Sequence, residues 1–252
     1  MDLDLLPEDL YTDPSTDGEQ SGKNNVQAPE MCVDCYCDCV CNVIKDLNIS
    51  SGAETPESEV EPTGNIRIES GLRKYVCDLT LDPNTAHTRL FLSEKNRKVM
   101  CMNQQQSYPD HPERFDSWEQ VLCRESLTGR CYWEVEWSGS VEVAVTCKGI
   151  PRKGEGNDCV FGCSGISWSL YCSSNSYCVL HNKKRTILPP PPYGSNRVGV
   201  FVDCSAGKLS FYSVSTDTHT LTHLHTFHFT FTEPLYAGFW VYSNSSVHLC
   251  KI

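Results

Sequence analysis

Five cysteines crowd a short island, residues 32–41, near the beginning of the chain. They are Cys32, Cys35, Cys37, Cys39 and Cys41. Four thiolates can close a tetrahedral zinc site, and the first two cysteines have suitable local spacing. A zinc finger, however, needs a second ligand pair about a dozen residues away, and the island has none. Three hypotheses stay open for the island: inert thiols, a zinc- or redox-responsive site, and acylated cysteines.

Paired carboxylates and histidines elsewhere in the chain favour structural roles. Glu134 and Glu136 fall on one face of a predicted strand, where solvated acids pairing with a basic neighbouring strand are expected rather than acid–base catalysis. His223 and His225 could share a strand face and hold a metal. No carboxylate lies in that run, so exposed strand histidines are favoured. The sequence also lacks a phosphate loop, a dinucleotide fingerprint and a nucleophile elbow, and we predict that the protein is not an enzyme.

Charge is distributed unevenly over the 252 residues, whose formal net charge is −11. An acidic tail, residues 1–64, has 15 acidic and 2 basic residues, whereas residues 65–252 have 17 acidic and 19 basic residues and are nearly neutral. No clustered basic face is visible, which argues against a nucleic-acid partner. Apolar runs are too short to span a membrane, and the chain begins with acidic rather than basic residues. We therefore expect a cytoplasmic protein whose 16 cysteines are thiols, with no membrane partner.

Hydrophobic periodicity changes abruptly after the tail. Residues 1–64 are too polar to offset the entropy of ordering, which predicts disorder. From residue 65 onward apolar side chains recur at every second position, as in 131–137, 141–147 and 198–202. Such alternation, broken by Gly, Asn, Ser and Pro turns, is typical of antiparallel strands. Leu90–Ser93 and Val99–Met102 form a predicted hairpin. Short strands without helical crossovers predict an all-β sandwich over residues 65–252.

Several sequence motifs along the predicted sandwich resemble those of the PRY–SPRY family. In chain order they are Leu81–Ala86, Phe115–Trp118, Trp133–Glu136, Val202–Tyr212 and Glu233–Leu235 with the closing Leu249–Cys250. Their order is similar to that of a PRY segment, about residues 65–120, followed by a SPRY segment, about residues 121–252. The resemblance implies a bent, concanavalin-like jelly-roll sandwich that recognises proteins through loops at one end. Val202 and Cys204 depart from the usual Leu and Tyr, at positions that affect packing.

Three predicted loops offer side chains for partner binding: Lys148–Asp158, Tyr171–Asn182 and Trp240–Ser246. Aromatic residues among Ser and Asn supply rigid contact area and adaptable hydrogen bonds. The predicted partner-binding residues are Arg152, Lys153, Tyr171, Ser173, Asn175, Tyr177, Tyr242 and Asn244. The alternative interpretation is that the aromatic residues of this region, including Trp168 and Trp240, are core residues.

The leading functional hypothesis is a non-catalytic module that binds a partner protein in innate immune recognition. PRY–SPRY domains occur at the C-termini of tripartite-motif ubiquitin ligases and in some fish immune receptors. A second hypothesis is therefore substrate recognition for a RING-type ligase. All eight histidines follow residue 86, and the tail has no heptads, so a RING would have to come from another chain. The third hypothesis is a zinc- or redox-responsive protein acting through the cysteine island. No other cofactor is expected.

Overall fold

Strands account for almost all regular structure in the part of the chain that the structure describes. This structure, a computed structural model, describes residues 71–191, 195–218 and 220–252. Those ranges contain thirteen strands, β1–β13, and two 3₁₀ turns of three residues each. The tail of residues 1–64, with its cysteine island, lies outside the described residues. The all-β prediction for the sandwich is confirmed.

The thirteen strands form two antiparallel sheets. Seven strands make the first sheet, in the spatial order β1-β2-β13-β4-β9-β10-β11: β1 (Leu90–Ser93), β2 (Lys98–Cys101), β4 (Arg130–Ser138), β9 (Arg197–Asp203), β10 (Lys208–Val214), β11 (Leu221–His228) and β13 (Ser246–Leu249). Six strands make the second, in the order β3-β12-β5-β6-β7-β8: β3 (Gln120–Leu127), β5 (Val141–Cys147), β6 (Ser167–Cys172), β7 (Tyr177–His181), β8 (Lys184–Leu188) and β12 (Leu235–Val241). The predicted first hairpin is present as β1 and β2.

The core lies between the two sheets and is built by the alternating residues that the sequence marks. Trp133 and Val135 of β4, Val143 of β5, and Val198 and Val200 of β9 are all buried there. Each such side chain contributes about 1.5–3 kcal/mol when it leaves water. Burial of these side chains fixes the register, because a slip of one residue would turn them all toward solvent.

The opposite face of β5 is also buried, which alternation does not predict. Glu142, Ala144 and Thr146 point away from the core, yet each is almost inaccessible to solvent. Long connecting segments cover this face, and within them Phe115 packs edge-on against Phe161 with ring centroids 5.7 Å apart. The second sheet is therefore packed on both faces around β5, with a thin outer layer of loop residues.

The paired acids of β4 differ in burial, and the prediction that both are solvated is wrong for Glu134. Glu134 is 2 % exposed, and its Oε2 lies 2.6 Å from Nε of Arg197 on the neighbouring β9. The hydroxyl of Tyr132 donates to Oε1 at 2.8 Å. Glu136 is more exposed and lies 3.6 Å from the same guanidinium. The expected pairing with a basic residue of a neighbouring strand is thus present, but one partner is buried.

Asp203 organises the turn between β9 and β10. Its Oδ1 accepts hydrogen bonds from the Ser205 hydroxyl at 2.7 Å and the Ala206 amide at 2.9 Å, and its Oδ2 lies 2.6 Å from Nε of Arg130. These donors, the Ser205 hydroxyl foremost, lower the pKa of Asp203 to about 2. An Asp that leads into the run Ser205-Ala206-Gly207 predicts turn chemistry rather than catalysis, and the structure confirms this role for Asp203.

Candidate partner-binding site

A ladder of aromatic rings leads from the interior to the surface on the outer face of the second sheet. Trp118 packs edge-on against Trp240, with ring centroids 5.4 Å apart. Trp240 stacks on Tyr242 at 4.5 Å with an interplanar angle of 22°, and Tyr242 meets Tyr171 edge-on at 5.9 Å. Both tryptophans are buried, whereas both tyrosines are partly exposed. The alternative core interpretation holds for Trp168, which is buried between the sheets. Trp240 is buried on the outer face instead, and Tyr171 is partly exposed.

Strand register brings these aromatic residues together around a carboxylate. Glu142 of β5 pairs with Trp240 of β12 on one side and with Tyr171 of β6 on the other. Residues that are directly opposite in adjacent strands point to the same face, so all three side chains share the outer face. Sequence alternation alone shows that Glu142 leaves the core, and it does not show what Glu142 meets there.

The Glu142 carboxyl beneath these aromatic rings has a raised pKa. It is 3 % exposed, and the hydroxyl of Tyr242 donates to its Oε1 at 3.1 Å. Burial raises the pKa of Glu142 to about 7, against the opposing effects of the Ser169 and Tyr242 hydroxyls and the charge of Arg185. A carboxyl in this environment changes charge near neutrality, beneath a surface tyrosine that it helps to orient.

Two interlocked turns hold Tyr171 and Tyr242 in place. The Tyr171 hydroxyl donates to Ser140 Oγ at 3.4 Å, and the Tyr242 amide donates to the Ser140 carbonyl at 3.3 Å. Ser245 Oγ accepts from the Ser140 amide at 2.9 Å. Gly139 permits this approach, since a Cβ there would lie 2.3 Å from Ser245 Oγ. The turn that contains Tyr242 is consequently fixed to the start of β5.

The segment Tyr171–Asn182 is a hairpin rather than the predicted loop. Tyr171 and Cys172 complete β6, and the Ser173 hydroxyl accepts a hydrogen bond from the Ser176 amide at 3.1 Å. This bond closes a short turn, and Asn175 is exposed at its tip. The prediction of a long loop is wrong because the Ser-rich stretch forms only a tight turn, and β6 and β7 on either side of it both contribute side chains to the core.

Asn244 occupies the corresponding tip of the turn between β12 and β13. It is exposed and has a φ of 58°, a left-handed conformation that Asn tolerates better than most residues. Ser173, Asn175 and Asn244 therefore lie on turns that adjoin the two tyrosines in sequence.

Tyr177 does not belong to this surface. It is 5 % exposed, and its hydroxyl donates to the carbonyl of Ser195 at 3.0 Å. Its ring packs edge-on against Trp137, with ring centroids 6.1 Å apart. Tyr177 faces the core because it pairs with Cys172, whose side chain is also directed inward.

Arg152 and Lys153 contact a different part of the molecule. Arg152 is buried; its Nη2 donates to the Lys148 carbonyl at 3.0 Å, and its guanidinium lies 5.0 Å from the centre of the Phe115 ring. Lys153 is exposed and donates to the His111 carbonyl at 3.3 Å. The predicted loop Lys148–Asp158 is present, but its arginine binds the outer layer of loops instead of forming a basic surface.

Within the described residues, no group of three or more side chains is arranged to hold a metal ion. His223 is exposed on β11, and its Nε2 lies 2.7 Å from the hydroxyl of Thr226, whereas His225 is half-buried. The zinc hypothesis for the cysteine island concerns residues outside that part of the chain. No helix in the described ranges has the length and apolar character needed to cross a bilayer.

Family comparisons agree with the fold and the order of the motifs. Residues 79–127 match the PRY family, described as the SPRY-associated domain, and residues 130–251 match the SPRY domain. The chain belongs to the PRY–SPRY family. SPRY domains are in general protein-interaction modules, and this assignment applies to the sandwich.

Relatives of this PRY–SPRY chain include toxins and tripartite-motif proteins. It is 43% identical to stonustoxin subunit beta of Synanceia horrida over 70% of this chain and 25% of the toxin subunit. It is 45% identical to tripartite motif-containing protein 16 of Mus musculus, over 67% of this chain and 30% of that protein. The chain thus spans about a quarter of the length of the curated relatives it matches.

Solved structures confirm the sandwich. The stonustoxin structure superposes with a TM-score of 0.67 at 38% identity, covering 71% of this chain and 29% of the toxin chain. The crystal structure of the TRIM65 PSpry domain gives a TM-score of 0.66 at 30% identity, covering 77% of this chain and all of that domain. The PRY–SPRY resemblance inferred from the motifs is therefore confirmed.

Proposed function

We propose that this PRY–SPRY chain is a non-catalytic module that binds a partner protein at the end of the sandwich bearing Tyr171 and Tyr242. The observation that carries the proposal is the stacking of the partly exposed Tyr242 on the buried Trp240, with Tyr171 packed edge-on against Tyr242. Ser173, Asn175 and Asn244, on the adjoining turns, supply hydrogen-bonding groups. Arg152 and Tyr177 take no part, because both are buried.

The aromatic ladder suits recognition for an energetic reason. A tyrosine held by ring packing loses little conformational entropy when a partner covers it, so more of the contact energy appears as affinity. An interface of about 800 Å² per partner has room for both tyrosines and both turns. We place the module in the cytoplasm and in innate immune recognition. The cytoplasmic placement is supported by the eleven cysteines of the described ranges, all of which are free thiols. The role in innate immune recognition is supported by similarity to a tripartite-motif protein.

Replacing both tyrosines with alanine tests the site. The full chain and its Tyr171→Ala/Tyr242→Ala variant are used to capture proteins from a cell lysate, with mass spectrometry as the readout. We expect captured partners to fall at least tenfold, because truncating two interface aromatics removes a few kcal/mol of binding energy. The thermal unfolding midpoint should fall only modestly, because both rings are partly exposed and one hydrogen bond to the buried Glu142 is lost.

The matched control is Phe91→Ala, which removes a partly exposed aromatic ring from the first sheet. This variant should capture the same proteins as the wild type. Equal capture by all three proteins contradicts the proposed site. A sharp fall in the unfolding midpoint of the tyrosine variant would instead assign both rings to the core.

Substrate recognition for a ubiquitin ligase is the second candidate function. Similarity to tripartite motif-containing protein 16 and to the TRIM65 PSpry domain favours it. In this role the same surface would hold a substrate while a RING domain on another chain transfers ubiquitin. Ubiquitination of a captured partner only when a RING protein is added would support this candidate, and capture without modification would leave the simple binding function.

A further inference from the structure

Strand β8 forms an open edge of the second sheet. It pairs with β7 on one side, and no other strand of the described ranges pairs with it. The other edge of this sheet, β3, is covered by the chain itself, since Leu81 forms a bridge with Cys123. A strand edge with unused backbone groups is a template for pairing with another chain.

Hairpin geometry shows where the outward backbone groups of β8 lie. The loop between β7 and β8 consists of Asn182 and Lys183, with φ values of 49° and 65°, as in a type I′ turn. In such a hairpin the residue pair that flanks the loop, here including Lys184, is hydrogen-bonded. Bonded and non-bonded pairs then alternate, so the N–H and C=O of Ile187, opposite Cys178, point away from β7.

Ile187 also presents an exposed apolar side chain at this edge. It is 75 % exposed, the largest exposed fraction among the large hydrophobic residues of the described ranges. Register places it on the same face as Cys178 and Tyr171. An added strand would therefore find both backbone partners and an apolar contact at one residue.

Positive charge beside the β8 edge favours an acidic binding segment. Lys183, Lys184 and Arg185 are consecutive, and the chain contains no Asp or Glu between residues 159 and 202. Both lysines are exposed, and neither forms a salt bridge with a described residue. Two copies joined edge to edge through β8 would bring these cations together, which disfavours self-pairing. An acidic extended segment meets no such repulsion.

We propose that the open edge of β8 binds an extended acidic segment of a partner protein as an added strand. The segment pairs with the outward backbone groups of Ile187, places an apolar side chain beside it and directs carboxylates to Lys183 and Lys184. This mode of binding is distinct from the tyrosine patch and stands whether or not that patch binds a partner.

A fluorescein-labelled heptapeptide of alternating Glu and Val, titrated with the full chain and followed by fluorescence anisotropy, tests the proposal. Binding is expected, and the same peptide with Lys in place of Glu should bind at least tenfold more weakly. Lys183→Glu with Lys184→Glu should weaken binding of the acidic peptide at least tenfold. Ile187→Pro should do the same, because proline removes the outward N–H and is tolerated at sheet edges.

Lys95→Glu with Lys98→Glu is the matched control, since it makes the same charge change in the β1–β2 hairpin of the first sheet. It should alter the dissociation constant less than twofold. The proposal is overturned by absence of binding, by equal losses in the two double variants, or by unchanged affinity in a folded Ile187→Pro protein. A dimer that Ile187→Pro dissolves would assign the edge to a second copy. Slow hydrogen exchange at the Ile187 amide of the peptide-free monomer would mean that the chain's own residues already pair with the β8 edge, which also overturns the proposal.

Discussion

Single carboxylates in this protein acquire different properties from their surroundings. Glu134 is buried but lies against Arg197, whereas Glu142 is buried beside the neutral hydroxyl of Tyr242. Burial without a directly paired cation favours the protonated carboxyl, which is why the pKa of Glu142 is raised. Both residues follow the same alternation in sequence. The difference comes from the neighbouring strand: it supplies Arg197 to Glu134, which forms an ion pair, and no directly paired cation to Glu142, which titrates near neutrality.

The raised pKa of Glu142 predicts a stability that falls as pH rises. The folded protein keeps the Glu142 carboxyl protonated up to pH about 7, whereas the unfolded chain releases that proton at the ordinary carboxyl pKa. The stabilisation from the protonated carboxyl is therefore fully present below the ordinary carboxyl pKa and is lost as pH rises through 7. Glu142→Gln should remove this part of the dependence, about 2–3 kcal/mol between pH 5 and pH 8. Urea unfolding at several pH values measures the difference between variant and wild type.

Glu136→Gln, at a more exposed position, serves as the control for that measurement and should leave the slope of stability against pH nearly unchanged. Parallel pH profiles for wild type and Glu142→Gln would show that Glu142 does not titrate near neutrality.

At the scale of elements, side chains in turns determine how strands meet. Asp203 closes the β9–β10 turn through its carboxylate, and Ser173 closes the β6–β7 turn through its hydroxyl. Gly139 allows the turn after β4 to contact Ser245 before β13. The Ser173 and Gly139 turns therefore hold the end of the sandwich that bears Tyr171 and Tyr242. The Asp203 turn closes the opposite end, where Asp203 pairs with Arg130 at the start of β4.

Asp203→Ala should destabilise the fold by about 1.5–3 kcal/mol at pH 7, the range for hydrogen bonds to a charged group. The lowered pKa of Asp203 means that this stabilisation is present above the ordinary carboxyl value. It is lost as pH falls through about 2. Urea denaturation at pH 7 and pH 2.5 should therefore show a smaller difference between variant and wild type at the lower pH.

Asp217→Ala removes an exposed carboxylate from the turn after β10 and should change stability by less than about 0.5 kcal/mol. An equal loss in the two variants would mean that the Asp203 turn bonds add nothing specific.

At the scale of the whole sandwich, the outer layer of loops covers the central strands of the second sheet, so that β5 is buried on both faces. Phe161 is fully buried in this layer, and a Cβ at Gly238 would lie 2.7 Å from its ring. The same layer encloses Trp118, which supports Trp240 and, through it, Tyr242. The position of Tyr242 thus depends on a segment that has no regular secondary structure.

Phe161→Ala should lower the free energy of unfolding by about 3–5 kcal/mol if the layer folds together with the sheets. Phe91→Ala, a partly exposed ring on the first sheet, should change it far less. Denaturant unfolding measures both variants. A loss at Phe161 no larger than that at Phe91 would show that the loop layer opens independently of the sandwich.

Sequence alone determined the strand alternation, the two-sheet fold and the turn role of Asp203, because these depend on side-chain period and local hydrogen bonds. It also predicted Tyr171 and Tyr242 as partner-binding residues; the structure brings their rings into contact, and their binding role stays a prediction. Only the tertiary structure decided that Tyr177 faces the core and that Glu142 is buried beneath a surface tyrosine. The physical reason is that alternation specifies which face of a strand a side chain occupies. Whether that face meets water depends on distant segments that pack over it.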